Sequence, residues 1–231
     1  MITVLEYFIK KIKGKEFNID RNIKFSYIVS ILLSMGVNLI RGNLKTLFVK
    51  KKGYSMFIGK KSKLKMKSKI ILGSGINIGD FVVIDALSKE GVQIGSNVRI
   101  GDFTSIMCTG TIRDIGIGFK IGDNCGIAGN CFFGAAGGIE IGQDVIMGQN
   151  VRFHSENHNY SDLNTIIRLQ GVTRKGIKVG NNCWIGSGVV FLDGVAIGDG
   201  CVIGANTLVN KSIPDNCIAV GNPVKVVKKR N

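Results

Sequence analysis

Two prolines, one tryptophan and two histidines in 231 residues are the scarcest features of this sequence. So few prolines, with 45% hydrophobic and 20% charged residues, exclude a collagen-like or disordered chain and fit one ordinary globular unit. Two imidazoles cannot build a three-histidine zinc centre. The six cysteines, at 108, 125, 131, 183, 201 and 217, contain no Cys-x-x-Cys pair, which removes a zinc ribbon or a thioredoxin-like redox site. No metal is expected, and a reducing, cytoplasmic setting fits best. Acidic side chains are scarce in one region only. Residues 1–70 hold 17 Lys and Arg against 3 Asp and Glu, whereas residues 71–231 hold 14 against 13. Long apolar runs are missing too. Tyr27 to Ile40 is 14 residues long, contains Ser30, Ser34, Gly36 and Asn38, and falls short of the ~17–25 needed to span a bilayer. Met1 to Phe8 is short and lacks a small-residue cleavage site, so no cleavable leader is expected.

What is present is a repeat. Apolar residues recur six apart over Val179, Ile185, Phe191, Ile197, Ile203 and Val209. The same spacing links Ile94, Ile100, Ile106 and Ile112, then Ile121, Ile127 and Phe133, then Ile141, Met147 and Phe153, with earlier traces at Ile58, Leu64, Ile70 and at Ile78, Ile84. Gly often follows the apolar residue, and a small or β-branched residue stands four positions after it, the slot taken by Cys125, Cys131, Cys183 and Cys201. A period of six matches neither a helix nor a long alternating strand. It suits a short strand and a turn forming one side of a prism, three sides closing an 18-residue coil. Coils then stack by parallel pairing about 4.8 Å apart, with the apolar residue inward. The period breaks three times: Ile112 to Ile121 is nine residues, Phe133 to Ile141 eight, and Phe153 to Val179 twenty-six. Insertions in a solenoid become side loops, which commonly carry function.

The run Asn182-Cys183-Trp184-Ile185-Gly186, then Gly194-Val195-Ala196-Ile197-Gly198, Lys211-Ser212-Ile213-Pro214 and Gly221-Asn222-Pro223-Val224-Lys225-Val226-Val227 closely resembles the hexapeptide-repeat acyltransferases, in the maltose-acetyltransferase-like and polysaccharide O-acetyltransferase branch. The resemblance covers roughly residues 58–227. It implies an all-β, left-handed parallel β-helix, with the handedness supplied by the family and contrary to the usual crossover rule. The expected organisation is a basic amphipathic helical segment over 1–57 and a repeat domain over 58–231 carrying a loop at 159–178.

The resemblance further implies an acetyl-CoA-dependent transferase, homotrimeric, acting on a sugar hydroxyl of a surface polysaccharide or its precursor. N-acetylation of an amino sugar is the alternative, and a non-catalytic β-helix that binds membrane or a partner protein is another. In the family a histidine at the foot of the excursion loop is the general base, which here falls on His158. An imidazole of pKa near ~6.5 suits deprotonation of a hydroxyl that attacks a thioester. His154 is the rival. The donor groove maps to Gly186, Ser187, Gly204 and Ala205, with Asn222, Pro223, Lys225 and Lys228 toward the phosphates, joined by Lys229 and Arg230. Small residues at those corners also suit the coil itself, so both readings stand. On the acceptor side fall Trp184, Tyr160 and Asn130. The Asn that some relatives place two hexads before the catalytic His falls on Ala128, with Asn130 nearby.

Ahead of the repeats, Val4, Leu5, Phe8, Ile9 and Ile12 lie at helical spacing among lysines, and Tyr27 to Ile40 forms a second apolar segment. Lys61, Lys63, Lys65, Lys67 and Lys69 alternate along a run that predicts five ammonium groups on one strand face. The expectation is peripheral attachment to the inner leaflet of an anionic membrane. The alternative is a pair of helices that cap the β-helix at the base of the trimer. With few interleaved aromatics, nucleic acid is not expected as a partner.

Overall fold

The computed structural model describes residues 19–230. Among them one helix, α1 (Phe25–Lys45), precedes a three-faced prism of short strands. Face 1 runs through seven parallel strands from Lys51–Lys52 to Ala196–Ile197. Face 3 runs through seven from Lys63–Lys65 to Leu208–Val209. Face 2 runs from Met56–Ile58 to Cys217–Val220, and the last strand, Lys225–Lys229, folds back antiparallel on it. This is the left-handed parallel β-helix, all-β apart from α1.

The hexad positions become ladders because each coil places its inward side chain on the one below. On face 1 Leu72, Ile94, Ile121, Ile141, Val179 and Ile197 stand in register. Face 2 stacks Ile58, Ile78, Ile100, Ile127, Met147, Ile185 and Ile203. Face 3 carries Ile84, Ile106, Phe133, Phe153, Phe191 and Val209. The three phenylalanines stack with ring centroids 5.0 and 4.3 Å apart. Nearly all of these side chains are fully buried. All six cysteines are free and buried, Cys125, Cys131, Cys183 and Cys201 of them in the small-residue slot.

The corners explain the Asn and Asp content. Asn97, Asn124, Asp144, Asn182 and Asn216 adopt left-handed φ values between 52° and 58° at the face 1/face 2 edge, a conformation those side chains tolerate. Their side chains also bond along the edge, Asn97 Nδ2 to Asn124 Oδ1 and Asn124 Nδ2 to Asp144 Oδ1, both at 3.1 Å.

Three expectations are corrected. Ile112 does not continue a ladder: it is 84% exposed, because the chain leaves face 3 after Cys108 and re-enters face 1 only at Gly116–Ile121. The five alternating lysines do not share one strand. Only Lys63 and Lys65 point out from face 3, Lys61 sits at a left-handed corner, and Lys67–Lys69 form a 3-10 turn. The apolar segment at Tyr27 to Ile40 belongs to a 21-residue helix that is, by length and composition, long enough to cross a membrane. The helical spacing at Val4 to Ile12 lies outside the described residues.

Helix α1 docks on the first coil through its C-terminal half. Gly42 lies against the Met56 carbonyl so closely that a Cβ would strike it. Arg41 Nη1 donates to the Ile58 carbonyl at 2.9 Å, and Lys45 Nζ to that of Ser62 at 2.5 Å.

Candidate active site

The excursion of twenty-odd residues departs from the face 3/face 1 edge, after the strand Arg152–His154. Its two limbs pair antiparallel, Asn157 with Thr173 and His158 with Val172, so His158 is held at the loop's foot by backbone pairing. The loop is organised from within. Gln170 Nε2 donates to the carbonyls of Asp162 (2.7 Å) and Thr165 (2.6 Å), and Asn159 Nδ2 to that of Gln170 (3.0 Å). Leu163, Ile166, Ile167 and Leu169 are exposed at its tip.

An ion cluster that no local pattern announces ties the loop down. Arg174, 16% exposed, bonds Glu156 Oε2 through Nε at 2.6 Å and Asp114 Oδ2 through Nη1 at 2.9 Å. The two insertions in the repeat, around 112–121 and 153–179, are thereby fastened to each other. Glu156 is consumed by Arg174 and does not serve as the orienting partner of His158. At the loop's exit the Asp193 carboxylate accepts the N–H groups of Lys175 and Gly176 at 3.0 and 2.8 Å.

His158 and Tyr160 come together in an open hollow of about 490 Å³ with Asn157, Asn159, Ser161 and Thr173. The His158 imidazole makes no side-chain hydrogen bond among the described residues. His154 lines a separate cavity of about 220 Å³, with Phe132, Gly134, Ser155 and Glu156. Its ring lies 5.7 Å from that of Phe132. Burial, and then the neighbouring Arg152 charge, push its pKa below the ordinary histidine value. The loop's hollow is lined by His158 and not by His154.

The donor-side residues gather elsewhere, on the face 2/face 3 edge. Gly186-Ser187, Gly204-Ala205 and Gly221-Asn222-Pro223 succeed one another up this edge, joined by Asn206 N–H to Ser187 O (2.8 Å) and Leu208 N–H to Gly221 O (3.1 Å). A contrast between edges gives this row its chemistry. On the face 1/face 2 edge most corner N–H groups among the described residues, Asp123 excepted, are capped from the next coil: Asn181 by Asp199 (2.6 Å), Asp199 by Asp215 (2.9 Å) and Gln143 by Asn181 (2.9 Å). The face 2/face 3 edge begins likewise, with Lys60 capped by Asp80 and Asp80 by Asp102, both at 2.8 Å. The capping then stops. The N–H groups of Asp102, Gly129, Gln149, Ser187 and Ala205 have no protein acceptor among the described residues. A row of unpaired donors along a small-residue edge suits a ligand rich in amide carbonyls and phosphates.

Asn130 stands on this same edge, in a cavity of about 520 Å³ with Arg99, Phe103 and Gln149, and away from His158. Trp184, 56% exposed, points out from face 2 beside the equally exposed Ile146. Lys225 and Lys228 are exposed on the final strand, Lys225 nearer the donor edge. Arg230 is not available there: it donates to the Gly200 carbonyl at 2.7 Å, on the opposite side of face 2. Within one chain, therefore, His158 and the donor row lie at the two edges of face 3. Asp102, Gly129 and Gln149 belong to the uncapped row although the sequence reading passed over them. The residue after the corner Gly or Ala of the next coil is Asp, Asn or Ser where the amide below is capped, and Gly129, Gln149, Ser187 and Ala205 along the uncapped row. Among the described residues no group of three or more His, Cys, Asp or Glu side chains could hold a metal.

Residues 176–211 match the profile of the family described as "Bacterial transferase hexapeptide (six repeats)". Those residues carry the hexapeptide repeat of that profile. The chain is 44% identical over 117 residues to "Putative acetyltransferase SAV2555" of Staphylococcus aureus strain Mu50, covering 50% of this chain and 57% of that one. It is 39% identical over 92 residues to "Probable acetyltransferase Rv3034c" of Mycobacterium tuberculosis, covering 40% of this chain and 31% of the relative. The chain spans about half the length of the first of these relatives. Among solved structures it resembles AntD, an N-acyltransferase from Bacillus cereus, in complex with dTDP and 3-hydroxybutyryl-CoA. The TM-score is 0.56 at 22% identity, covering 83% of this chain and 88% of that one, a likeness of fold.

Proposed function

We propose that this hexapeptide-repeat protein is an acetyl-CoA-dependent O-acetyltransferase whose acceptor is a sugar hydroxyl of a surface polysaccharide or its precursor. The observation that carries the reading is the uncapped amide row at Gly129, Gln149, Ser187 and Ala205, set on the prism edge across face 3 from the loop that presents His158. Pantetheine amide carbonyls accept from that row, and Lys225 and Lys228 meet the phosphates by charge-assisted bonds. His158 accepts the proton of the sugar hydroxyl as its oxygen attacks the thioester carbonyl. The new C–O bond forms, the C–S bond breaks, and the departing thiolate takes the proton back from the imidazolium. No acyl-enzyme is required, and the base contributes about 10²–10⁴-fold.

Since the two edges do not meet in one protomer, the proposed function requires a cyclic homo-oligomer, the trimer that the family resemblance implies, that sets the loop of one copy against the donor edge of the next. The exposed apolar tip at Leu163, Ile166, Ile167 and Leu169 is the surface such a neighbour would cover. Tyr160 and Trp184 then flank the acceptor.

The test is thiol release from acetyl-CoA with a panel of saccharides, and detection of one added acetyl group on the acceptor. Wild-type protein should acetylate a hydroxyl, and His158→Ala should keep its fold and CoA affinity while losing about 10²–10⁴ in turnover. Transfer confined to amino groups would redirect the assignment to N-acetylation. Near-normal turnover of His158→Ala would remove the proposed base.

A further inference from the structure

Helix α1 is amphipathic in the inverted sense. Ser30, Ser34, Asn38, Arg41 and Lys45 fall on one stripe of the helix at spacings of three and four. The stripe's C-terminal part turns toward the β-helix, where Arg41 and Lys45 bond the carbonyls of Ile58 and Ser62. Beyond that stripe Leu33, Val37, Ile40 and Leu44 are all exposed, and the apolar surface continues into Leu47 and Phe48. Only 11% of its most apolar 18-residue window is buried. A helix apolar around most of its circumference is stable inside a protein core or in lipid, and within α1 only Ile28 and Gly42 are buried.

The charge beside it has one sign. Lys50, Lys51, Lys61 and Lys63 are exposed on the coil that α1 caps and form no ion pair among the described residues, while Lys60 and Lys65 reach Asp80 and Asp85. A second copy docked on the apolar face would bring two such collars together, whereas lipid phosphates would neutralise them.

We propose that α1 and the lysine collar seat this protein on a bilayer of anionic phospholipid, the apolar surface of α1 in the hydrocarbon and the ammonium groups among the headgroup phosphates. Seated so, the prism would rise from the membrane by its first coil. The inference does not depend on the reaction assigned to the loop and donor edge.

Flotation of the full chain with phosphatidylcholine vesicles, with and without phosphatidylglycerol, tests it. The protein should rise with the anionic vesicles at ~0.1 M salt, and much less with neutral vesicles or at ~1 M salt. Combining Lys51→Glu, Lys61→Glu and Lys63→Glu should weaken partitioning on the order of a hundredfold. Combining Leu33→Glu, Val37→Glu and Ile40→Glu should abolish flotation and leave thermal unfolding unchanged, since these side chains face away from the β-helix. Wild-type protein that stays at the bottom with anionic vesicles overturns the proposal, as does undiminished flotation of the helix variant. Loss of a larger oligomer in that variant, without any flotation of the wild type, would show that a second copy covers the face. Should either variant fail to fold, the anionic-against-neutral comparison on the wild type still decides.

Discussion

Cys108 and Cys183 show what burial does to a thiol. Burial pushes Cys108 up to about 12 and Cys183 up to about 11, and it raises Cys125, Cys131 and Cys201 as well. The thiolate is the reactive form, so the folded protein should resist alkylation at pH 8 and all six cysteines should label once it is unfolded. Native labelling at that pH would contradict the assigned burial. The linkage has a definite sign. The unfolded chain loses these protons near ~8.5 while the folded chain keeps them, so the thiols' contribution is intact below that pH and is lost as pH rises toward the folded values. A second prediction concerns one corner. Asp199 caps Asn181 from the next coil, and Ala205 holds the equivalent place above Ser187. Ala205→Asp should cap the Ser187 N–H and set a carboxylate where the donor lies. CoA affinity, read by calorimetry, should fall at least about tenfold while the melting temperature does not drop. Unchanged affinity would mean that the donor lies elsewhere.

Among the elements, the ladders were legible in the sequence because their cause is local: one inward side chain per six residues, repeated until the stack closes. The loop, expected at 159–178, was legible as a break in that count, and His158 as the residue at its foot; the chain leaves the prism after His154 and rejoins it at Ile177, which makes the loop 155–176. Ile112 misled because spacing alone does not show that the chain has already left the prism. The five alternating lysines misled because alternation implies a strand only where the backbone does not turn. The Arg174 cluster was not legible at all, since Asp114 lies sixty residues from its partner and neither residue belongs to a pattern. Arg174→Ala should leave the stacked core intact and loosen the loop. Partly exposed ion pairs contribute roughly 1 kcal/mol or less, so thermal unfolding should move little while proteolytic cleavage within 155–176 accelerates and KM for the acceptor rises. A large loss of global stability with no change in cleavage would show that the cluster serves the prism and not the loop.

At the scale of the whole molecule the decisive fact is a separation. His158 and the uncapped amide row occupy opposite edges of face 3, so under the proposed function one protomer carries both halves of the site but does not assemble it. The account therefore predicts a closed oligomer, with a mass by light scattering of three times the 24.9 kDa protomer. The most direct measurement is complementation. His158→Ala lacks the base and Ala205→Asp lacks the donor site, so each alone should be nearly inactive. Co-assembled at equal amounts from unfolded chains, they should regain about a quarter of wild-type turnover, the share of interfaces in a cyclic oligomer that unite an intact loop with an intact donor edge. A mixture as inactive as its parents, despite verified co-assembly, would contradict a site shared between protomers.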